Sequence, residues 1–198
     1  MYPLLETIKV ENGRFCNLPY HQERFDRSRR EVLGIDDNMQ LQQLLSIPDH
    51  CMKGVFKCRF VYGATVGKTT FIPYTPKKVA SLKIVTDDHI DYRYKFSDRR
   101  RLKALLSRKA QCDDVLIVKQ GMITDTSFSN IAFFDGKIWV TPATPLLNGT
   151  KRRQLLAEGK LVTANIRISD ISRYQKFILI NAMLDFDQNG GMPTGNIK

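Results

Sequence analysis

The stretch from Gly121 to Arg153, GMITDTSFSNIAFFDGKIWVTPATPLLNGTKRR, constrains the fold more than any other part of the chain. Apolar runs alternate there with turn signals: Gly121-Met122 follows an apolar run, and Asp135-Gly136 is typical of a two-residue hairpin. The pattern predicts strands joined by tight turns, followed by a loop that opens a helix at residues 151–158.

Two features of this stretch are unusual for a plain scaffold. The segment Thr124–Asn130 is a dense polar cluster between apolar strands. Gly149-Thr150 stands just before the predicted helix, where the first backbone amides lack partners inside the helix. Such a helix start is suited to binding an anion.

Several strings in this order resemble class IV aminotransferases, the pyridoxal-phosphate enzymes that include branched-chain aminotransferase, D-amino-acid aminotransferase and 4-amino-4-deoxychorismate lyase. The strings are ITDTSFSNIAF, then Thr141-Pro142, then LNGTKR from Leu147. Nearer the start, Glu6-Thr7-Ile8 and HQERFDRS at residues 21–28 are similar to the family's F-E-T-I and H-x-x-R-[LF]-x-x-S.

The resemblance extends over nearly the whole chain and implies a fold. This is an α/β (α+β) architecture of the branched-chain-aminotransferase type, known as fold-type IV of the pyridoxal-phosphate enzymes. It implies a small N-terminal subdomain at residues 1–78, a larger cofactor-binding subdomain at residues 82–198, and the cofactor between them. It also implies a homodimer.

Three residues take the main roles by resemblance. Lys95, in a K-x-x-[ND]-R-like string, matches the lysine that forms the Schiff base with pyridoxal 5'-phosphate and opens a helix predicted to reach about residue 111. Arg24 matches the arginine that binds the cofactor phosphate, and a guanidinium fork suits a phosphate. Asp125 matches the carboxylate that hydrogen-bonds the pyridinium nitrogen, although the family has Glu there. Each has a plainer alternative: a surface lysine, an exposed helix arginine and a turn aspartate.

The other predicted site residues also follow from the resemblance. Thr150 and Lys151 depart from the family's G-[IV]-T-R, but their amides still suit a phosphate. The remaining predicted cofactor-binding residues are Asn130, Gly149, Asn181 and Ala182. The predicted substrate-binding residues are Tyr92, Tyr94 and Arg59.

These assignments leave three functions open. The strings around Lys95 and Asn181 favour the lyase branch, which converts 4-amino-4-deoxychorismate to 4-aminobenzoate and pyruvate for folate precursor synthesis. A class IV aminotransferase acting on branched-chain or D-amino acids is the alternative. A non-catalytic or nucleic-acid-binding basic protein is the third, because the net charge is +11. The positive residues are spread, however, and attraction of an anionic cofactor and substrate explains the charge as well.

Composition and spacing argue against several other classes. Four cysteines and three histidines show no metal-ligand spacing, so we expect no metal site and reduced thiols in a cytoplasmic protein. Met1-Tyr2-Pro3 begins no signal peptide, and no apolar run is long enough to span a membrane. The string GATVGKT at residues 63–69 is one residue short of a P-loop and predicts a hairpin turn instead. The tail, residues 187–198, is predicted to be mobile.

Overall fold

The computed structural model describes residues 3–198 and divides into two compact units. The first consists of residues 3–76 and 94–98, and the second of residues 77–93 and 99–198. The prediction that no signal peptide begins the chain rests partly on Met1 and Tyr2, which lie outside the described residues. The predicted subdomains, 1–78 and 82–198, stay a prediction; Tyr94–Asp98, assigned to the second by sequence, clusters with the first unit.

The first unit is a four-stranded antiparallel sheet in the order β2-β1-β3-β4, with two helices. Its elements are β1 (Leu4–Glu11), β2 (Arg14–Phe15), α1 (Leu18–Leu33), α2 (Leu41–Leu44), a 3-10 turn (Asp49–Cys51), β3 (Val55–Tyr62) and β4 (Val66–Pro73). Asn12 and Gly13 both adopt positive φ between β1 and β2, as a tight hairpin requires. The P-loop-like string forms the β3–β4 hairpin and part of β4, as predicted, and not a strand-to-helix turn.

Helix α1 packs an unexpected face on this sheet. Its buried residues, His21, Arg24, Phe25, Ser28 and Arg29, recur at helical spacing, so the buried stripe is largely polar. The plainer alternative for Arg24, an exposed helix arginine, is therefore wrong, and Arg29 is buried as well. Both arginines are buried because each has a carboxylate partner: Glu6 for Arg24 and Asp37 for Arg29.

The second unit is built on a mixed sheet in the order β10-β9-β8-β7-β6-β5, with β11 pairing β8 as well as β12. Its elements are β5 (Leu82–Thr86), α3 (Arg100–Leu106), β6 (Asp114–Lys119), β7 (Met122–Thr126), β8 (Asn130–Phe134), β9 (Trp139–Pro142), α4 (Thr150–Ala157), β10 (Val162–Ala164), a 3-10 turn (Ile168–Arg173), β11 (Lys176–Ile180), β12 (Met192–Pro193) and a 3-10 turn (Thr194–Asn196). The turn at Gln120-Gly121 has two positive φ angles and closes the β6–β7 hairpin.

The predicted mobility of the tail is wrong. Strand β12 pairs with β11, and the backbone of Lys198 exchanges hydrogen bonds of 2.8 Å with Leu82 and Ile84 of β5. The composition of the tail suggested disorder, but its backbone is held by pairing with strands far away in the sequence. Among residues 3–198, no helix has the length and hydrophobicity to cross a membrane.

Candidate active-site residues in the two units

A buried carboxylate organises the first unit's polar cluster. Glu6 points into the core side of β1 because Leu4, Ile8 and Val10 share its face. Arg24 donates to Glu6 from Nε (2.8 Å) and Nη2. This bidentate pairing fixes the orientation of the guanidinium group. His21, one helical turn before Arg24, lies with Nδ1 2.6 Å from the same carboxylate.

These neighbours set the charge of each group. Burial by itself would raise the pKa of Glu6, but the charge and hydrogen bonds of Arg24 and the bond with His21 outweigh it and lower the pKa to about 2. Burial, together with the positive charges of Arg24 and Lys95, lowers the pKa of His21 despite its bond with Glu6. His21 is therefore neutral near pH 7, and its Nδ1–H donates to the ionised Glu6.

Lys95 lies in a short bent segment, where the Phe96 amide donates to Tyr94 O at 2.9 Å, and not at a helix start. Its carbonyl accepts a 3.0 Å bond from the Leu5 amide, the Ser97 amide donates to Pro3 O, and Phe96 bridges Leu4 in antiparallel fashion. Helix α3 begins only at Arg100 and ends at Leu106, so the prediction that Lys95 opens a helix reaching residue 111 is wrong. The segment follows β1 because its backbone groups find partners there.

The predicted substrate residues lie in different units. Tyr94 packs on the first unit's core and donates from its hydroxyl to Glu31 at 2.8 Å. Arg59 is half-buried on β3, opposite Thr7. Tyr92 packs instead on an apolar cluster of the second unit that includes Ile90 and Leu102.

In the second unit, Asp125 and Asn130 form one buried network with the loop before α4. They are paired residues at the facing ends of β7 and β8, and each is about 5% exposed or less. Asn130 Nδ2 donates to Asp125 Oδ1 (2.8 Å) and to Leu147 O (2.8 Å), while the Leu147 amide donates to Asp125 Oδ2 (2.9 Å). The loop is thereby fixed against the β7–β8 turn.

The environment of Asp125 leaves its charge only partly compensated. Burial raises its pKa to about 6, against the lowering effect of the Leu147 amide, the Asn130 side chain and the charge of Arg152. Arg152 is itself buried and donates to Asn148 Oδ1 (3.0 Å) and Pro142 O (2.8 Å). A cationic N–H group placed against Asp125 would favour its ionised form.

The start of α4 is closely fitted to Asn130. A Cβ on Gly149 would lie 2.1 Å from Asn130 Oδ1, so only glycine fits this position without a shift of its neighbour. The first backbone bond of the helix runs from Arg153 N to Gly149 O (3.0 Å). Thr150 is buried, and Lys151 is half-buried with its ammonium 3.2 Å from Gln154 Oε1.

The remaining predicted residues lie beside the β7–β8 turn. Asn181 follows β11, and its Nδ2 donates to Ser129 Oγ at 2.8 Å while its Oδ1 accepts from the Met183 amide. Ala182, the next residue, is half-buried. Arg99 donates to Ser127 O at 2.6 Å, so the same turn is also contacted from the α3 side of this unit.

The resemblance assigned Asp125, Asn130 and Gly149 to one site, and these residues do lie next to one another in the second unit. It gave no role to three charged or polar residues that contact or influence predicted site residues. Glu6, His21 and Arg152 stood inside the quoted strings without a role. A detectable signal existed for Glu6, because it is the one charged residue among Leu4, Ile8 and Val10 on an alternating strand face. Of the described residues, no group of three or more His, Cys, Asp or Glu is arranged to hold a metal ion, and all four cysteines are free.

Comparison with known proteins places this geometry in a family. The model of the amino-transferase class IV family matches residues 3–186. An uncharacterized protein of Haemophilus influenzae is 38% identical over 185 residues, which cover 92% of this chain and 98% of that protein. A crystal structure of a "putative 4-amino-4-deoxychorismate lyase" from Haemophilus somnus is similar with a TM-score of 0.88 and 36% identity, covering 92% of this chain and 97% of that one.

A more distant structure shows the same fold. A hypothetical aminotransferase from Mycobacterium tuberculosis in a form with bound pyridoxal phosphate has a TM-score of 0.72 at 17% identity, covering 91% of this chain and 78% of that one. The predicted mixed α/β fold is therefore confirmed. The chain belongs to the amino-transferase class IV family and is an enzyme of the aminotransferase or lyase type.

Proposed function

We propose that the protein is a pyridoxal-phosphate-dependent lyase that converts 4-amino-4-deoxychorismate to 4-aminobenzoate and pyruvate, a step in folate precursor synthesis. The observation that carries this proposal is the likeness to the Haemophilus somnus structure, whose name states this activity and which this chain matches at 36% identity over nearly the full length of both. The sequence strings around Lys95 and Asn181 favour the same branch.

The residues present suit such a cofactor. The elevated pKa of Asp125 suits a cationic heterocyclic N–H, which would stabilise the carboxylate inside the protein. The fixed loop at Gly149 and the following amides of Thr150 and Lys151 suit a phosphate group, as does Arg24, whose guanidinium is oriented by Glu6. Asn130, Asn181 and Ala182 line the turn and strand end next to this loop. When bound, pyridoxal phosphate supplies an electron sink for a carbanion.

The protein's own part in the reaction falls mainly to Lys95. We assign it as the residue that holds the cofactor covalently and, once displaced by the substrate amine, takes the proton from the ring carbon that carries the amino group. The ring becomes aromatic as the bond to the enolpyruvyl oxygen breaks, and the released enol takes up a proton to give pyruvate. The reaction is redox-neutral and needs no second substrate.

That last point separates the lyase from the aminotransferase alternative. The purified protein, supplied with pyridoxal phosphate and 4-amino-4-deoxychorismate, should release pyruvate without any added 2-oxo acid. An aminotransferase would turn over branched-chain or D-amino acids only with a 2-oxo acid acceptor. Turnover of that second kind alone would replace the lyase proposal by the aminotransferase.

A matched pair of variants tests the role of Lys95. Lys95→Ala should abolish both pyruvate release and the visible absorbance of bound cofactor, with an unchanged circular dichroism spectrum. Lys103→Ala, on the exposed side of α3, should leave both intact. Cofactor absorbance retained in Lys95→Ala would refute the assignment. The predicted homodimer is tested separately by sedimentation over a range of concentrations.

A further inference from the structure

Arg152 of α4 is a buried cation whose hydrogen bonds go to neutral oxygens. The residue is 5% exposed and donates to Pro142 O (2.8 Å), Asn148 Oδ1 (3.0 Å) and Thr141 Oγ1 (3.4 Å). Within the described part of the chain, none of these hydrogen bonds reaches a carboxylate. Burying a guanidinium group without negative charge nearby is costly. The arrangement therefore depends on a carboxylate at longer range.

Asp125 supplies that negative charge from the other side of a short piece of backbone. Its Oδ2 accepts from the Leu147 amide at 2.9 Å, and Arg152 Nη1 donates to the side chain of the next residue, Asn148. Burial raises the pKa of Asp125 and lowers the pKa of Arg152, and in each case the charge of the other group opposes this effect. The two charges thus stabilise each other across residues 147–148.

This separation leaves part of the Asp125 carboxylate available. Its Oδ1 accepts from Asn130 Nδ2 at 2.8 Å, and its Oδ2 accepts from Leu147. A carboxylate has about four acceptor positions, so at least one remains even if the Leu146 amide takes a third. A direct ion pair with arginine would occupy both oxygens, because the two groups usually pair through parallel hydrogen bonds. Arg152 therefore contributes charge without taking the position that an external N–H group needs.

The same arginine holds both ends of the loop between β9 and α4. Pro142 is the last residue of β9, Asn148 lies two residues before α4, and Arg152 donates to both. Leu147, whose amide donates to Asp125, is the neighbour of Asn148 in this loop. The position of that amide therefore depends on a side chain from the first turn of α4.

We propose that Arg152 is a positioning residue for the cofactor: it adds positive charge beside Asp125 without occupying the carboxylate, and so leaves it to a cationic ring N–H. This inference rests on the proposed function and deepens it, because it names a residue that acts on the cofactor through Asp125. Arginine suits this role, since its planar fork reaches the strand end and the loop at once and keeps its charge when buried.

The effect of the charge can be measured on Asp125 itself, without the cofactor. Carbon-13 NMR of the full chain follows this carboxyl, and Asp125→Asn identifies its signal. The pKa of about 6 should rise by about 1 in Arg152→Met, because an opposite charge nearby lowers the pKa of a carboxyl. Arg152→Lys keeps the charge and should restore most of the effect. Arg108→Met removes an exposed arginine that donates to Thr86 O at 3.3 Å; it is the matched control and should leave the pKa unchanged.

Binding of two probes separates this role from a merely structural one. The probes are pyridoxal 5'-phosphate and its 1-deaza analogue, in which a C–H group replaces the ring nitrogen. Arg152→Met should weaken binding of pyridoxal phosphate about tenfold and of the analogue less than about twofold, because only the first probe carries a ring N–H for Asp125. If Arg152→Met fails to fold, Arg152→Gln, whose amide can still donate to Pro142 O, is the neutral variant in both measurements.

The outcomes separate this inference from the proposed function. An Asp125 pKa that is unchanged in Arg152→Met, or an equal loss of affinity for the two probes, overturns the role of Arg152 even if the protein releases pyruvate. A raised pKa together with a selective loss of affinity for pyridoxal phosphate supports that role. The same result in a protein that releases no pyruvate from 4-amino-4-deoxychorismate supports Arg152 and refutes the lyase.

Discussion

The contact between Gly149 and Asn130 leads to a quantitative prediction for Gly149→Ala. The backbone at Gly149 has φ −66° and ψ 145°, which alanine adopts without strain, so any cost comes from the added Cβ. That Cβ would lie 2.1 Å from Asn130 Oδ1, whereas ordinary contact begins at 3.4 Å. One of the two groups must move by about 1.3 Å.

Neither group can move without loss. Asn130 is buried and its Nδ2 is bonded to Asp125 and to Leu147 O, so a shift of this size breaks the Asn130–Asp125 bond or displaces the loop. Overpacking costs about 1–3 kcal/mol, and a hydrogen bond to a charged group is worth about 1.5–3 kcal/mol. We therefore expect Gly149→Ala to lower the free energy of unfolding by about 3 kcal/mol.

A double-mutant cycle isolates the steric term. In an Asn130→Ala background the clash is absent, and Gly149→Ala should then cost only about 1 kcal/mol, the usual loss when alanine replaces a better N-cap residue. Urea unfolding followed by Trp139 fluorescence reports on this unit, because Trp139 is the chain's single tryptophan. Gly195→Ala, with no atom within 4 Å of its Cβ, is the control and should change stability by less than about 0.5 kcal/mol. An equal cost for Gly149→Ala in both backgrounds would refute this reasoning.

Three further perturbations have defined outcomes. The pKa of Asp125 is raised to about 6, so its carboxyl favours folding when it is protonated; this contribution is complete below the unfolded pKa near 4 and is lost as the pH rises through 6. Asp125→Asn should therefore make the urea midpoint depend less on pH between pH 4 and 6. An unchanged pH dependence of the midpoint would contradict this expectation. A thiol reagent should modify half-buried Cys16 first and the three buried cysteines only in denaturant; four rapid reactions in the native protein would count against the burial described above. Truncation after Phe186 removes the Gln188 carbonyl bonded to the Trp139 indole at 3.0 Å, so Trp139 emission should shift to longer wavelength and the midpoint should fall; unchanged emission would show that the tail does not pack there.

Local pattern predicted the strands and turns well because their signals are local. The turn signal Asp135-Gly136 lies in the hairpin between β8 and β9, and the helix predicted at residues 151–158 is observed as α4 at Thr150–Ala157. The neighbourhood of Asp125, Asn130 and Gly149 was also predicted, because the resemblance places all three residues by short motifs.

What the sequence did not predict depends on partners far along the chain. The segment of Lys95 is held beside β1 by the Leu5 amide, and the tail is held by β5 and β11. No local pattern encodes either pairing. Arg24 of α1 is likewise buried because its partner is distant in the sequence. A helix with several arginines is expected to expose them to solvent. Arg24 is buried in the core because it donates to the carboxylate of Glu6 on β1.

The aspartate that replaces the family's glutamate is best understood as part of the loop it binds. Asp125 accepts from the Leu147 amide and from Asn130, and a side chain longer by one methylene would carry the carboxylate past both donors. Asn130, held in this way, occupies the space that a Cβ of residue 149 would need. The shorter acid, the asparagine and the glycine are therefore mutually dependent, and together they fix the backbone from which α4 begins. The position of that helix start thus depends on Asp125 itself, in addition to any contact that this carboxylate makes with a bound cofactor.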